Sequence, residues 1–365
     1  MAGKFLWKEF SSIDLSDPFF DSLKVDYIEF PQWFQKKADF GEKVLVFEDE
    51  EGIGAFVYLK REEAESIVLK NADELPAINR IKIGTFKLSE RFRGQRLGEG
   101  AIGVALWYWQ KLNKFDEIYL TAFDKHDDLI SLITRFGFIK VGVKDTNGKD
   151  EGVYVRSRKN IDYSDPYKCF PFLNPNIAKA GILPIVDDYH DKLFPYSELA
   201  GQREFFETVA GNGMTKCYVC SPYNTVYEEG MPVLVYRMHS VNDGQKQYKS
   251  AVTSFCTITK IHVVKQNGVS KIFPEEFLRL SGNKTVLTYD ELKGYYDNKN
   301  CVILEMVYNG FFGRGHNVNC KWLKEHGLFE QHPYQIAYTK DQFLHILTEG
   351  DVNVSNVIID QPRIC

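Results

Sequence analysis

The stretch RFRGQRLGEGAI, Arg91 to Ile102, places three arginines and three glycines where a strand gives way to a helix. The preceding run RIKIGTFKL, from Arg80, is β-branched and alternating, and reads as a strand. In the following GEGAIGVALWYWQKLN, Ile102, Ala105, Leu106, Trp109 and Leu112 recur at helical spacing. A strand, a glycine-bearing turn and a helix converge backbone N–H groups and the positive end of a helix dipole on one point, a geometry that suits a phosphate.

The other phosphate motifs fail on spacing. A Walker loop needs GxxxxGK followed by Ser or Thr, which the chain lacks. Gly98, Gly100 and Gly103 do spell a dinucleotide fingerprint, GEGAIG. That fingerprint belongs after the first strand of a parallel sheet, whereas the strand before it here is the third of an antiparallel meander. KVLVFED and GAFVYLKRE form the hairpin ahead of that strand. A polar helical stretch, PFFDSLKVDYIEFPQWFQKKAD, precedes the hairpin. After the glycine turn and its helix come the strand DEIYLTAF, an amphipathic helix through Leu129, Leu132, Ile133 and Phe136 capped by Gly137, and a closing hairpin, FIKVGVK and EGVYVRS.

This order of elements, with Arg93, Gly94, Gln95, Arg96, Leu97 and Gly98 standing on a (Q/R)-x-x-(G/A)-x-(G/A) signature, resembles the GNAT acetyltransferases over roughly the first 155 residues. Arg96 replaces the middle small residue. The resemblance implies acyl transfer from acetyl-CoA to an amine. Its coenzyme would lie along Phe86, Lys87 and Leu88, with its pyrophosphate on the amides from Gly94 to Gly98, beside Glu99. Arg91, Arg93 and Arg96 would add charge-assisted bonds. Family members often carry an Asn eleven residues before the Gly of the closing GF pair and a Tyr four before it; His126 and Ile133 occupy those places. Tyr119, His126 and Tyr154 are the substitute acid–base candidates, and His126 also reads simply as a residue opening an acidic first turn.

At 365 residues the chain is long enough for two domains. Hydrophobic and charged residues, at 44% and 26%, fit an ordinary globular protein, and the mixture of strand and helix patterns gives the α+β class. A net charge of −5 argues against broad coating of nucleic acid. We expect a first domain over 1–158, a proline-bearing connector over 159–196 and a second, strand-rich domain over 197–365. The second half resembles the PUA-like superfamily of ASCH or EVE type, through Ser221, Gly230, the Tyr236–Arg237 and Thr253–Ser254 pairs, and the HPYQIAYTKDQF segment. Met231 stands where that pattern has Asp. The resemblance implies a small, partly open barrel binding RNA or a modified nucleobase through Tyr218, Ser221, Tyr236, Arg237, Thr253, Ser254 and Gln335. A core role for the two tyrosines and a surface role for Arg237 are the plain alternative. The loop FFGRGHN, Phe311 to Asn317, reads as a contact loop or a turn.

Of seven cysteines, only Cys217 and Cys220 form a CxxC, and three residues along a strand point to opposite faces, so no metal site is expected. The scattered thiols suggest a reducing, cytoplasmic setting. No apolar run approaches the roughly 20 residues of a membrane span, and the N-terminus carries no basic-then-apolar signal pattern. Two functions remain open: an acetyl-CoA-dependent N-acetyltransferase acting on an RNA-linked or translation-related amine, or a non-catalytic nucleobase-binding protein on an acyl-CoA-sensing scaffold.

Overall fold

The computed structural model describes residues 4–70, 73–146, 148–198, 208–222 and 224–359. The chain divides into two units, Met1–Asn160 and Ile161–Cys365. In the first, β1 (Leu6–Glu9), β2 (Lys43–Asp49), β3 (Gly52–Val68), β4 (Glu74–Leu88), β5 (Glu117–Phe123), β6 (Ile139–Thr146) and β7 (Lys149–Ser157) make one mixed sheet of order 1-2-3-4-5-7-6. Among the described residues of this unit only β4 and β5 pair in parallel, because the glycine turn and a helix over 97–111 lie between them and carry the chain back across the sheet.

The polar N-terminal stretch is two helices rather than one: α1 (Asp21–Asp26) and α2 (Phe30–Asp39). Pro31 sits in the first turn of α2, where its missing N–H is harmless. Phe20, Phe30 and Phe34 bury against Val44, Val46, Phe56 and Tyr58 of β2 and β3. Phe10 meets Phe34, Phe56 and Tyr58 edge-on at 5.0, 5.6 and 5.5 Å, which fixes these helices on one face of the sheet.

After the glycine turn comes α3 (Leu97–Lys111), followed after β5 by α4 (Asp127–Arg135). Ile102, Ala105, Leu106 and Trp109 of α3 are fully buried, as their spacing predicts. Gly137, at φ +82°, ends α4 with the paired bonds Gly137 N–H to Thr134 and Phe138 N–H to Ile133. This is the cap anticipated from the sequence.

In the second unit, β8 (Gly181–Val186), β9 (Thr215–Cys220), β10 (Pro232–Met238), β11 (Ala251–Gln266), β12 (Val269–Ser270), β13 (Cys301–Phe311) and β14 (Val318–Asn319) form a sheet along the path 8-10-11-13-9, with β12 and β14 attached to β11. From Ile161 on, the connector expected over 159–196 belongs to this unit. GILPIV within it is β8, paired in parallel with β10 from Val233 to Met238. Its six residues are nearly all buried, which a surface linker would not allow. The expected barrel is an open, half-wrapped sheet: among the described residues β8 and β9 are its two unpaired edges. No helix among the described residues is long and apolar enough to cross a membrane.

Candidate active site

The parallel ladder of β4 and β5 is only three residues long, Arg80 to Lys82 against Glu117 to Tyr119. Beyond it the strands part. On its other edge β4 carries a bulge: Thr85 opposes Tyr58 and Ile83 opposes Leu59, so Gly84 is the extra residue with no partner on β3. A Cβ at Gly84 would sit 3.3 Å from the Tyr58 ring, so the bulge favours glycine. The parting strands open a cavity of about 700 Å³. Its walls are Tyr27, Glu29 and Trp33 from the α1–α2 region, Tyr58 and Lys60 of β3, Lys82 to Phe86 of β4, Leu120 to Phe123 of β5, His126 and Leu129 at the start of α4, and Lys144, Thr146 and Glu151 of the last hairpin.

The glycine turn lies beside the end of β4 and against α4, and none of its residues lines the cavity. Gly98 packs beside Leu88 at the end of β4 and Leu132 of α4, to which a Cβ would stand at 3.1 and 3.6 Å. Leu97 and Gly98 occupy the first two helical positions, where helix geometry offers their amides no carbonyl. The expectation that every amide from 94 to 98 faces a phosphate needs correction: the Gln95 N–H donates to the Phe92 carbonyl at 3.0 Å within the turn. Arg96 adopts the left-handed region, φ +61°, at the place where the signature has a small residue.

The arginines also divide. Arg91 grips both carboxylate oxygens of Asp49, with Nη2 at 2.6 Å from Oδ1, and donates to the Gly52 carbonyl at 2.9 Å. Arg96 pairs with Glu99 at 2.9 Å, both side chains nearly buried. These guanidiniums hold the turn's shape rather than reach outward. Arg93 is 79% exposed, 3.7 Å from Asp128, and is the arginine of the turn that faces solvent. Lys87 is bonded to the Ser22 hydroxyl, and Phe86 lines the cavity.

Of the three acid–base candidates, His126 lines the cavity. Tyr119 does not; its hydroxyl donates to buried Glu62 at 2.6 Å, and burial and that bond push it far above its usual value. Such a phenol is a poor proton donor to a thiolate of pKa roughly 8.5. Tyr154 is buried beside Gly152 and Lys140, away from the lining. Sequence reasoning missed Lys60, Glu62 and Lys82. Burial raises the Glu62 carboxyl, but bonds from Lys60 at 2.8 Å and from Tyr119 outweigh it and hold it low. Lys82 is pushed down by burial. A strand register would have found them, since Lys60 lies directly opposite Lys82.

In the second unit the seven nucleobase candidates do not converge. Tyr218 lines a cavity of about 280 Å³ at the open seam, with Tyr189, Tyr295 and Tyr334. Its hydroxyl contacts the Pro184 carbonyl of β8 at 2.8 Å and the Tyr334 hydroxyl at 2.7 Å, so side chains bridge the two strand edges. Ser221 accepts from Asn298, and Gln335 is exposed on a short turn. Tyr236 packs in the core, 4.9 Å from Phe329.

Arg237 is not at the surface. It is buried, donating to both oxygens of Asp191 at 2.7 and 2.9 Å. His190 Nδ1 also meets Asp191, at 2.8 Å, and Nε2 meets the Thr253 hydroxyl at 2.8 Å. Ser254 sits beside Thr253, 3.2 Å from the Tyr308 hydroxyl. Thr, His and Asp in this order mimic a nucleophile triad, yet Thr253 and His190 are 0% exposed, so no substrate carbonyl reaches them. The network is structural.

Burial holds His190 neutral against the pull of Asp191. A histidine whose folded pKa is depressed stabilises the fold above its unfolded value and loses that stability as pH falls. Below about pH 6.5 the loss approaches 1.4 kcal/mol per pH unit. Urea melts followed by hydrogen exchange of β11 should therefore show the native chain losing more stability than His190→Gln as pH falls below about 6.5. Parallel profiles would show that His190 is charged in the folded state. Among the described residues no three His, Cys, Asp or Glu side chains cluster as a metal site.

No family model and no curated protein matches this chain. Solved structures do resemble part of it. NAA60 of Arabidopsis thaliana in complex with acetyl-CoA is 18% identical, covering 43% of this chain and 100% of its own, at a TM-score of 0.34. Ard1 of Thermoplasma volcanium is 14% identical, covering 42% and 97%, at 0.28. An acetyltransferase of the GNAT family from Streptococcus pneumoniae is 13% identical, covering 42% and 99%, at 0.29.

Proposed function

We propose that the first unit is an acetyl-CoA-dependent N-acetyltransferase. The observation that carries this reading is the parting of β4 and β5 after three residue pairs, with the N-terminus of α3 beside the end of β4. The amides of Leu97 and Gly98, with Arg93 beside them, hold the pyrophosphate of the donor. The pantetheine arm follows Phe86 to Leu88 into the cavity. Backbone N–H groups at the Gly84 bulge face the oxyanion that forms as the amine attacks. The thiol leaves as thiolate, at a pKa of roughly 8.5, without needing a strong acid. His126, on the cavity wall, takes the proton that the attacking amine must lose.

The test is calorimetric titration of the full chain with acetyl-CoA, followed by thiol release against a panel of amines. His126→Ala should lower kcat by about 100-fold and leave acetyl-CoA affinity unchanged. An unaltered kcat would move the base elsewhere.

The second reading is a binding protein whose working part is the second unit. The four tyrosines around the seam cavity favour it, since aromatic faces suit a base. Acetyl-CoA bound without turnover, together with capture of RNA or a modified nucleobase, would support that reading. The RNA-linked acceptor belongs to the same test.

A further inference from the structure

We propose that Lys82 and Lys144 form a subsite for an anionic group, a carboxylate or phosphate, carried by the acceptor amine. The inference rests on the acyltransferase reading and names the substrate class of that same cavity. Both lysines line it. No carboxylate among the described residues lies within ion-pair distance of either, whereas Lys60, on the same wall, is neutralised by Glu62 at 2.8 Å and Glu65 at 3.5 Å. Lys82 is half-buried, with its ammonium 5.8 Å from the centre of the Tyr119 ring. A cation held off water without a direct ion pair gains from an anion placed against it. Beyond ion-pair distance Glu62 and Glu151 attract Lys82, Lys144 and Lys60 repel it, and burial outweighs the attraction.

The donor's own phosphates do not fill this role. Lys82 precedes Leu88 by six residues, about 20 Å along an extended strand, and the phosphate turn lies beyond Leu88. Lys82 marks the end of the cavity where the acyl group and the acceptor meet. The remaining charges there, Glu29, Asp145 and Glu151, are carboxylates suited to the acceptor's ammonium. Glu151 is oriented by the Thr146 hydroxyl at 2.9 Å. A wall with both signs of charge fits an acceptor with both.

The experiment compares kcat/KM for matched acceptors with acetyl-CoA and the full chain: γ-aminobutyrate against its amide, phosphoethanolamine against ethanolamine, and tetrapeptides with Asp against Asn at the second residue. The native chain should prefer the anionic member of at least one pair by about tenfold or more. Lys82→Met with Lys144→Met should bring that preference to about parity, while the neutral member keeps its rate. Equal use of all pairs by the native chain overturns the subsite. So does an equal loss on both members in the double variant, which would make the lysines part of the chemistry instead. A lysine-dependent preference for succinyl-CoA over acetyl-CoA, with no acceptor preference, places the anion on the acyl group and also overturns it. Failure to bind acetyl-CoA at all is a distinct result, which removes the acyltransferase reading and this subsite with it.

Discussion

Gly98→Glu abolishes acetyl-CoA binding while the chain stays folded. The substitution places a carboxylate at the second position of α3, beside the two amides that helix geometry leaves for the diphosphate. Losing two charge-assisted bonds of about 1.5 to 3 kcal/mol each, before any repulsion between like charges, weakens affinity by at least about 100-fold. The fold survives for two reasons. The new Cβ meets Leu88 Cδ1 at 3.1 Å and Leu132 Cδ2 at 3.6 Å, both flexible side-chain ends. An acidic residue in the first turn also favours the helix dipole. Gly98→Ala is the control, since it makes the same Cβ contacts without the charge and should weaken binding far less. Calorimetry on the three proteins, with thermal melts alongside, reads the result. Native-like affinity in a folded Gly98→Glu chain would mean that no phosphate sits at this helix, and the transferase reading would lose its anchor.

The same turn shows how far a sequence can be read. Its glycines, its preceding strand and the buried stripe of α3 all fall within about thirty residues, and local spacing exposes them. What the arginines do is not local. Arg91 is held by Asp49, forty-two positions earlier, and only the pairing of β2, β3 and β4 brings them together. The cavity is harder still. Nothing in RIKIGTFKL says that its ladder with β5 stops at Lys82, because that depends on the bulge at Gly84 and on where α3 returns the chain. In the second unit the short apolar run GILPIV hides among prolines, and its partner β10 lies about fifty residues further on, so no nearby pattern marks it as a strand. The dispersed nucleobase set has a related cause. Thr253 is the extra residue of a bulge on β11, its hydroxyl donates to the Ser254 hydroxyl at 3.4 Å, and both side chains are fully covered. Neither is left to meet a ligand.

That covered sheet supplies the largest expected loss of stability. Asp191→Ala leaves the Arg237 guanidinium buried without its bidentate partner, and removes the acceptor from His190 Nδ1. Burial alone would raise the Asp191 carboxyl; the bonds from Arg237 and His190 outweigh it and hold it low. Breaking such a pair from one side costs about 3 to 5 kcal/mol. Asp187, 3.8 Å from Arg237, is already engaged with His239 and Ser240 and replaces little of it. The double change Asp191→Ala with Arg237→Met removes both charges and should recover a large part of the loss, leaving a coupling of about 2 kcal/mol or more. Because the Asp191 carboxyl is depressed in the folded state, its contribution is present above the unfolded pKa of about 3.9 and fades as pH falls through the lower folded value. The penalty of the single change should accordingly be full at neutral pH and shrink only in strong acid. Urea melts followed by exchange of β11 amides measure both. If the single variant lost less than about 1 kcal/mol, or the double variant lost the sum of the two singles, the guanidinium would be reached by water and the network would not be holding the sheet together.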